Sequence, residues 1–438
     1  MFKLAINGGE KTVKSCPGDI LTWPIVNKAM DEAILEVLRA GNMSGTDITR
    51  RFEREYADWH GMTYGLGCNN GTAALHCAMY GIGIGQGDEI ICPSITYWAS
   101  CMPVLSLGGK IVFADIDPET LCIDPDDMER RITPRTKAVV VVHYCGRPAD
   151  MDRIMPIARK HNLKVIEDAS HAHGAIYKGK MVGTFGDVAG FSLMSSKSFA
   201  IGEGGIMLTN DREIYDRAVI LGHYERHTEI TTEYLKAGAG LPWGGCKYRM
   251  HQISSAVGLE QLKKYPAEIA EIDQAMNYFW DLLEGVPGIR PHRPAKGSDI
   301  SMGGWYHPLA HYRPEELGEL SVTRFCEALE AEGVPSRPGC NEALHRHPLF
   351  STIDVYNQGK PINAMETSSG RQEDMSLPVA EGIQSRIFTV PWFKRYYPDV
   401  IEEYAAAMRK VVLNYEELLS GDHGNPEGSG GWSLSFKS

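Results

Sequence analysis

The stretch FSLMSSKSFAIGEGG (191–205) holds one amine, Lys197, among serines and other small residues. An amine in a tight pocket loses hydration and is freed to act as nucleophile and base. Three other segments carry complementary chemistry. In VIEDASHAHGA (165–175) an apolar strand-like run ends on Glu167 and Asp168. A carboxylate there needs a cation or N–H donors, and the ring nitrogen of a ligand is one such partner. In NNGTAAL (69–75), Asn70, Gly71 and Thr72 precede a helical run. Free amides and the dipole at a helix start favour a phosphate. In PSITYWAS (93–100), Tyr97 and Trp98 follow a strand-like segment, where an aromatic face can stack on a planar ring.

Each feature has a plainer reading when taken alone. Lys197 is then a loop lysine at the surface, and Asn70 or Thr72 an ordinary N-cap. The carboxylates are satisfied by loop amides, and the aromatic pair is core packing. Taken together, with Ser192 five residues before Lys197, the four segments describe one ligand. It has a planar ring, a ring nitrogen, a phosphate arm and a carbonyl that accepts an amine. Pyridoxal phosphate has all of these.

These residues need a scaffold, and the pattern from about residue 60 to 210 supplies one. TAALHCAMYGIGI has helical spacing, DEIICPSITY and KIVFADI are strand-like, and DPDDMERRI reads as a helix. KAVVVVHY reads as a buried strand, MDRIMPIARKHN as a helix and KVIEDA as a strand, with VAGFSL and GGIMLTN as two more short strands. This alternation predicts an α/β unit with a mostly parallel, buried sheet, whose ligand edge lies at the loops after the strands. A long helical segment starts at RMHQISSAV, and Pro266 is expected to break or kink it. The composition becomes mixed near residue 288, which predicts a large domain over 1–288, with an N-terminal arm, and a smaller one over 289–418. The smaller one contains a helix at TRFCEALEAEG, a polar loop near 355 to 375 and a final helix at DVIEEYAAAMRKVVLNYEELL. The Gly/Ser-rich end, 419–438, is expected to be disordered.

Bulk properties narrow the function classes. The chain has 438 residues and a formal charge of -12, which argues against nucleic acid as a main partner. The ten cysteines form no C-x-x-C pair and several sit in apolar runs, as in IICPS and LHCAM. They read as reduced core residues of a cytoplasmic protein. The start has no apolar signal region, and runs such as AVVVV are too short to span a membrane. GIGIGQG (81–87) follows a helix and lacks dinucleotide-site spacing. GAIYKGKM (174–181) has Met181 where a phosphate loop needs Ser or Thr. HAH (171–173) and HRH (345–347) do not have the spacing of a metal set, so no metal is expected.

From about residue 20 to 415 the chain resembles the sugar aminotransferase family called DegT/StrS. The segments that carry the resemblance are NGTAAL, GDEIICPSITYWAS, VVHYCGRPADMD, VIEDASHAHGA, GDVAGFSLMSSK with GEGG, and YRMHQISSAVGLEQL. The resemblance implies the type I pyridoxal-phosphate-dependent transferase fold, a large domain with a mostly parallel sheet and a smaller C-terminal α/β domain. It further implies that Lys197 carries the cofactor as a Schiff base and moves the proton, that Asp168 pairs with the ring nitrogen, and that Tyr97 stacks on the ring. Asn70, Gly71, Thr72 and Ser192 would hold the phosphate, and His345, in LHRHPLF, would lie near the substrate.

Two positions depart from many nucleotide-sugar members. His171, near the ring hydroxyl, stands where they have Gln, and Lys247 stands where they have Asn. Lys247 would reach the cofactor phosphate of a neighbouring subunit, which implies a homodimer with shared active sites. Both residues resemble the branch acting on cyclitols and aminohydroxybenzoate precursors. The expectation is transfer of an amino group from glutamate or glutamine to a keto-cyclitol, scyllo-inosose-like, or to a keto-sugar, as in aminocyclitol antibiotic biosynthesis. A nucleotide-linked acceptor is the alternative. A sugar dehydratase on the same scaffold is disfavoured, because such enzymes have histidine in place of the lysine. A cofactor-binding sensor without turnover is the reading from a different class.

Overall fold

The computed structural model describes residues 3 to 351 and 375 to 426, with residues 354, 356, 357, 359, 366, 367, 370 and 371 between them. Of the end expected to be disordered, residues 419–426 are described and held in place, with Asp422 accepting from the Ser321 amide at 2.7 Å and Asn425 from the Thr323 amide at 3.1 Å; the rest of it and most of the expected polar loop near 355 to 375 lie outside the described residues.

Seven short segments form the central sheet: β1 (Tyr64–Cys68), β2 (Glu89–Pro93), β3 (Lys110–Ala114), β4 (Thr136–Val142), β5 (Lys164–Asp168), β6 (Val188–Ser192) and β7 (Gly205–Thr209). Their order is β1-β7-β6-β5-β4-β2-β3. β7 pairs antiparallel with β1 and β6, and the remaining pairs are parallel. Continuous apolar runs such as AVVVV become strands because both faces of the sheet are covered. Val139, Val140 and Val141 have no exposed surface. β1, with sequence YGLGC, is not among the expected strands, since two glycines weaken its β signal.

Around the sheet lie α1 (Lys28–Arg39), α2 (Asp47–His60), α3 (Gly71–Gly81), α4 (Pro125–Arg130), α5 (Met151–Lys160), α6 (Arg212–Gly222) and α7 (Gln252–Leu282). α8 (Val322–Glu332) and α9 (Pro398–Leu413) follow. They accompany a small antiparallel sheet of order β8-β9-β10, made by Ile289–Pro291, Leu309–Tyr312 and Ile387–Thr389. Against the expectation of a break, α7 runs unbroken through Pro266. An interior proline costs a helix about 3 kcal/mol. Packing on both sides of it outweighs that cost: Leu259 and Tyr265 join the apolar cluster of the large sheet, and Ile272, Met276, Phe279 and Trp280 join a second cluster. The second cluster also takes Leu4, Val13 and Ile20 from the N-terminal arm. Among the described residues, no helix is long and apolar enough to cross a membrane.

Register decides what meets at the ligand edge. Asp168 at the end of β5 lies beside Val142 of β4 and Gly190 of β6. Gly205 at the start of β7 pairs with Ser192 on one side and Cys68 on the other. The loops after β1, β5 and β6 therefore emerge together. Gly205 makes this approach possible, since a Cβ there would lie 2.3 Å from the carbonyl oxygen of Asn70.

Candidate active site

The two adjacent carboxylates point to opposite faces of β5, as strand alternation requires. Glu167 is fully buried and saturated. It pairs with His143 Nε2 at 3.0 Å and accepts the amides of Gly183, Phe185 and Gly186, each at 2.7 Å. Burial raises its pKa, but the His143 bond and these amides outweigh burial and hold it below the usual carboxylate value. Asp168 keeps a lighter set of partners. Its Oδ2 accepts from Ser100 Oγ at 2.6 Å and its Oδ1 from the Ser170 amide at 3.1 Å. Of the pair, Asp168 is the carboxylate with capacity for a further donor.

The start of α3 forms a cradle. Asn70 is its N-cap, and its side chain accepts from the Ala73 amide at 2.8 Å. Gly71 packs directly on Ser192: a Cβ at Gly71 would lie 2.6 Å from Ser192 Cβ. Thr72 follows in the first turn. Ser192 is fixed through its backbone. Its amide donates to Ser170 Oγ at 2.9 Å, and its carbonyl accepts from His173 Nε2 at 2.9 Å. His173 Nδ1 is bonded to Tyr56 Oη at 2.7 Å, and burial pushes this imidazole down to about 3. Neutral His173 thus donates from Nε2 and accepts at Nδ1.

Lys197 is 8 % exposed and has no carboxylate partner among the described residues. Its Nζ lies 4.3 Å from the ring centroid of Tyr306, and its carbonyl accepts from Trp23 Nε1 at 2.8 Å. The Tyr306 ring also lies 4.5 Å from the His171 ring. Burial first, then the charge of Lys197, push His171 well below the ordinary imidazole value. The ring is therefore neutral. Its Nδ1 accepts from the Cys145 amide at 3.3 Å, which leaves the ring proton on Nε2.

The other expected residues lie around this centre. Tyr97 follows β2, is 42 % exposed and lies 4.9 Å from the Trp98 ring. Lys247 is exposed. It sits in a segment bonded beside the end of β1, where the Asn69 amide donates to the Tyr248 carbonyl at 2.7 Å. His345 is 2 % exposed and uses both ring nitrogens inside the protein, Nδ1 with Ser94 Oγ at 2.7 Å and Nε2 with Glu381 Oε1 at 2.9 Å.

Sequence reasoning did not select Tyr306, Trp23, Ser100 or His173. Tyr306 stands between two non-glycine residues of positive φ, Trp305 at 52° and His307 at 49°. Such backbone is uncommon and gathers at functional sites. The only signal in the sequence was GGWYHP, an aromatic pair behind two glycines. Trp23 lies 174 residues from its partner Lys197, and no local pattern announces that contact.

The chain aligns over 91 % of its length with the whole of a solved aminotransferase from Psychrobacter cryohalolentis, at a TM-score of 0.77 and 28 % identity. The protein is an aminotransferase of the pyridoxal-phosphate-dependent class. It belongs to the DegT/DnrJ/EryC1/StrS aminotransferase family, which matches residues 24–405. Among its relatives, the GDP-perosamine synthase of Caulobacter vibrioides is 39 % identical over 66 % of this chain and 74 % of that protein. The L-glutamine:2-deoxy-scyllo-inosose aminotransferase of Streptomyces kanamyceticus is 34 % identical over 80 % of this chain and 82 % of its own length.

Membership implies a pyridoxal or pyridoxamine phosphate cofactor, and the residues present fit one. A cradle that a single Cβ at Gly71 would fill lies at a helix start. Asp168 retains acceptor capacity at a strand end, and the buried amine of Lys197 lacks a counter-ion among the described residues.

Proposed function

We propose that this protein transfers an amino group from glutamine or glutamate to a keto-cyclitol of the scyllo-inosose type, with pyridoxal phosphate held covalently by Lys197. The observation that carries this reading is the buried amine of Lys197 against Tyr306, uncompensated among the described residues, in the loop after β6, the strand that pairs with the Asp168 end of β5. The likeness to a scyllo-inosose aminotransferase over four-fifths of both chains supports the acceptor class.

Bound at this edge, the cofactor supplies an electrophilic carbonyl and an electron-withdrawing ring. The amides of Gly71 and Thr72 and the hydroxyl of Ser192 would hold its phosphate, aided by the dipole of α3. Asp168 would pair with the ring nitrogen and keep a proton there. His171, with its proton on Nε2, would donate to the ring hydroxyl. Tyr97 would cover the ring face. The Lys197 amine, once freed, would move a proton from the α-carbon of the donor to the cofactor carbon that bears the carbonyl, and would move one the other way, to the acceptor carbon, in the second half of the reaction. His345, anchored between Ser94 and Glu381, would act on the substrate side through the loop it fixes.

A homodimer with shared sites belongs to this proposal. Lys247 would serve the phosphate of the neighbouring subunit. Exposed apolar side chains Leu35, Leu38 and Met43, together with Leu241 and Trp243 near Lys247, support such a contact. The same reading makes the protein a cytoplasmic enzyme. A second reading, amination of a nucleotide-linked keto-sugar, is favoured by the likeness to GDP-perosamine synthase.

The test has two parts. Borohydride reduction of cofactor-loaded protein is expected to leave the pyridoxyl mass on the peptide carrying Lys197, and its absence there refutes the covalent role. A panel of keto-cyclitols and nucleotide keto-sugars, with glutamine and with glutamate, then separates the two acceptors. Mixing Lys197→Ala and Lys247→Ala chains is expected to restore part of the activity, and no recovery refutes shared sites.

A further inference from the structure

The segment PWFKRYY (391–397) contains a second enclosed amine. Lys394 is 2 % exposed. Its Nζ lies 2.7 Å from the ring centroid of Trp392 and 5.7 Å from that of Trp23, and it has no hydrogen bond or ion pair among the described residues. Three other enclosed cations are compensated: Arg226 by Glu53 at 2.8 Å, Lys410 by Glu332 at 2.8 Å and Arg131 by Asp127 at 2.6 Å. The adjacent acid is already taken, since Glu271 accepts from Arg395 and from the Tyr396 amide. The Lys394 amide is fixed to the Ile20 carbonyl at 2.7 Å, so the turn that carries it is anchored to the N-terminal arm.

The two indoles around Lys394 are also walls of the candidate active site. Trp23 holds the Lys197 carbonyl. Trp392 donates to the Gly304 carbonyl at 3.0 Å and meets Tyr306 edge to face at 5.9 Å. Tyr306 in turn covers the Lys197 amine. Two amines without counter-ions among the described residues therefore flank one aromatic pair. Indole faces attract a cation but satisfy none of its three N–H donors. Burial alone pushes the Lys394 amine well below the ordinary lysine value. Its Nζ is nevertheless not among the unpartnered polar atoms sealed from solvent.

We propose that Lys394, between Trp23 and Trp392, binds an oxyanion of a substrate, either a carboxylate of the amino-acid donor or a phosphate of a nucleotide-linked acceptor. An oxyanion supplies the acceptors that the indoles lack, and the surrounding rings exclude water from the pair. The proposal rests on the aminotransferase reading above and deepens it, because the source of the oxyanion would separate the two acceptor classes.

The test uses cofactor-loaded wild type, Lys394→Met and Lys394→Arg, with glutarate and GDP as unreactive probes. Amino transfer by the wild type is recorded first, and its absence counts against the function reading alone. Probe binding is followed separately by calorimetry. Lys394→Met is expected to weaken one probe at least about tenfold, and Lys394→Arg to restore most of that loss. Loss confined to glutarate assigns the donor carboxylate, and loss confined to GDP assigns the acceptor phosphate. Unchanged affinity for both, in a variant with wild-type melting temperature and cofactor content, overturns the proposal and leaves Lys394 a neutral amine packed on indole. If Lys394→Met does not fold, the crystal structure of wild type with the better probe decides. An oxyanion oxygen about 3 Å from Nζ supports the site, and a probe bound elsewhere overturns it.

Discussion

Ser100 Oγ donates to Asp168 Oδ2 at 2.6 Å, and the same hydroxyl shares a hydrogen bond with Thr96 Oγ1 at 2.8 Å. The loop after β2 thus fixes the carboxylate at the end of β5. If that carboxylate stabilises charge in the ligand ring, Asp168→Asn should lower kcat at least about 100-fold, the scale of removing one preorganised electrostatic partner. Ser100→Ala, which only loosens it, should cost about tenfold. Steady-state kinetics with cofactor content measured in parallel checks both. Full activity in Asp168→Asn removes the residue from the mechanism.

Gly71 and Ser192 leave no room for a side chain between them. Gly71→Ala would place a Cβ 2.6 Å from Ser192 Cβ and 2.8 Å from its Cα, so the cradle must open. Affinity for pyridoxal phosphate should fall at least about tenfold, or 1.4 kcal/mol, in equilibrium dialysis. Unchanged affinity with an intact far-UV spectrum would mean that the phosphate binds elsewhere.

Tyr306 contacts Lys197 through its ring, not its hydroxyl. Tyr306→Phe should therefore form the covalent cofactor adduct within about twofold of the wild-type rate. Tyr306→Leu loses a cation–π contact of about 0.5–2 kcal/mol that stabilises only the unreactive ammonium, and should speed adduct formation by about 2- to 30-fold. Stopped-flow absorbance after adding cofactor to the apoprotein distinguishes them. A large loss in the Phe variant would shift the role to the hydroxyl.

Buried imidazoles set the acid limit of stability. Burial pushes His60, His76 and His223 down to about 4, and His173 and His292 to about 3. The unfolded chain takes these protons near pH 6.5, which the folded chain refuses until far lower pH. Between those limits the unfolded state binds more protons, so stability rises with pH. It is fully present above about pH 6.5 and is lost as pH falls toward 4. Melting temperature measured from pH 8 to 4 should be flat and then fall with a slope of several protons. A flat profile down to pH 4.5 contradicts this.

The candidate site was readable because the chemistry it would need is local. Ser192 ends one strand and Lys197 lies in the loop after it, Glu167 and Asp168 end another strand, and Gly71 opens one helix, so residue type and spacing marked these segments, and the family resemblance picked Asp168 of the two carboxylates. The parallel sheet was readable for a similar reason: unbroken apolar runs are stable as strands only when covered on both faces. A break at Pro266 did not follow, because the local cost of a helical proline is visible in sequence while the packing that offsets it is not. β1 escaped because its glycines carry no pattern, and its pairing with β7 is a long-range event.

By itself, the sequence pointed to the class of chemistry, an amine, a carboxylate and a candidate phosphate cradle on an α/β scaffold. Tertiary structure alone decided which carboxylate stays open, since amides from residues 183 to 186 saturate Glu167 and leave Asp168. It alone brought Tyr306 and Trp23 onto Lys197 and enclosed Lys394 beside them. The physical reason is range. Spacing along the chain encodes local conformation and chemistry, whereas burial and the partnering of charge are set by segments that meet only after folding.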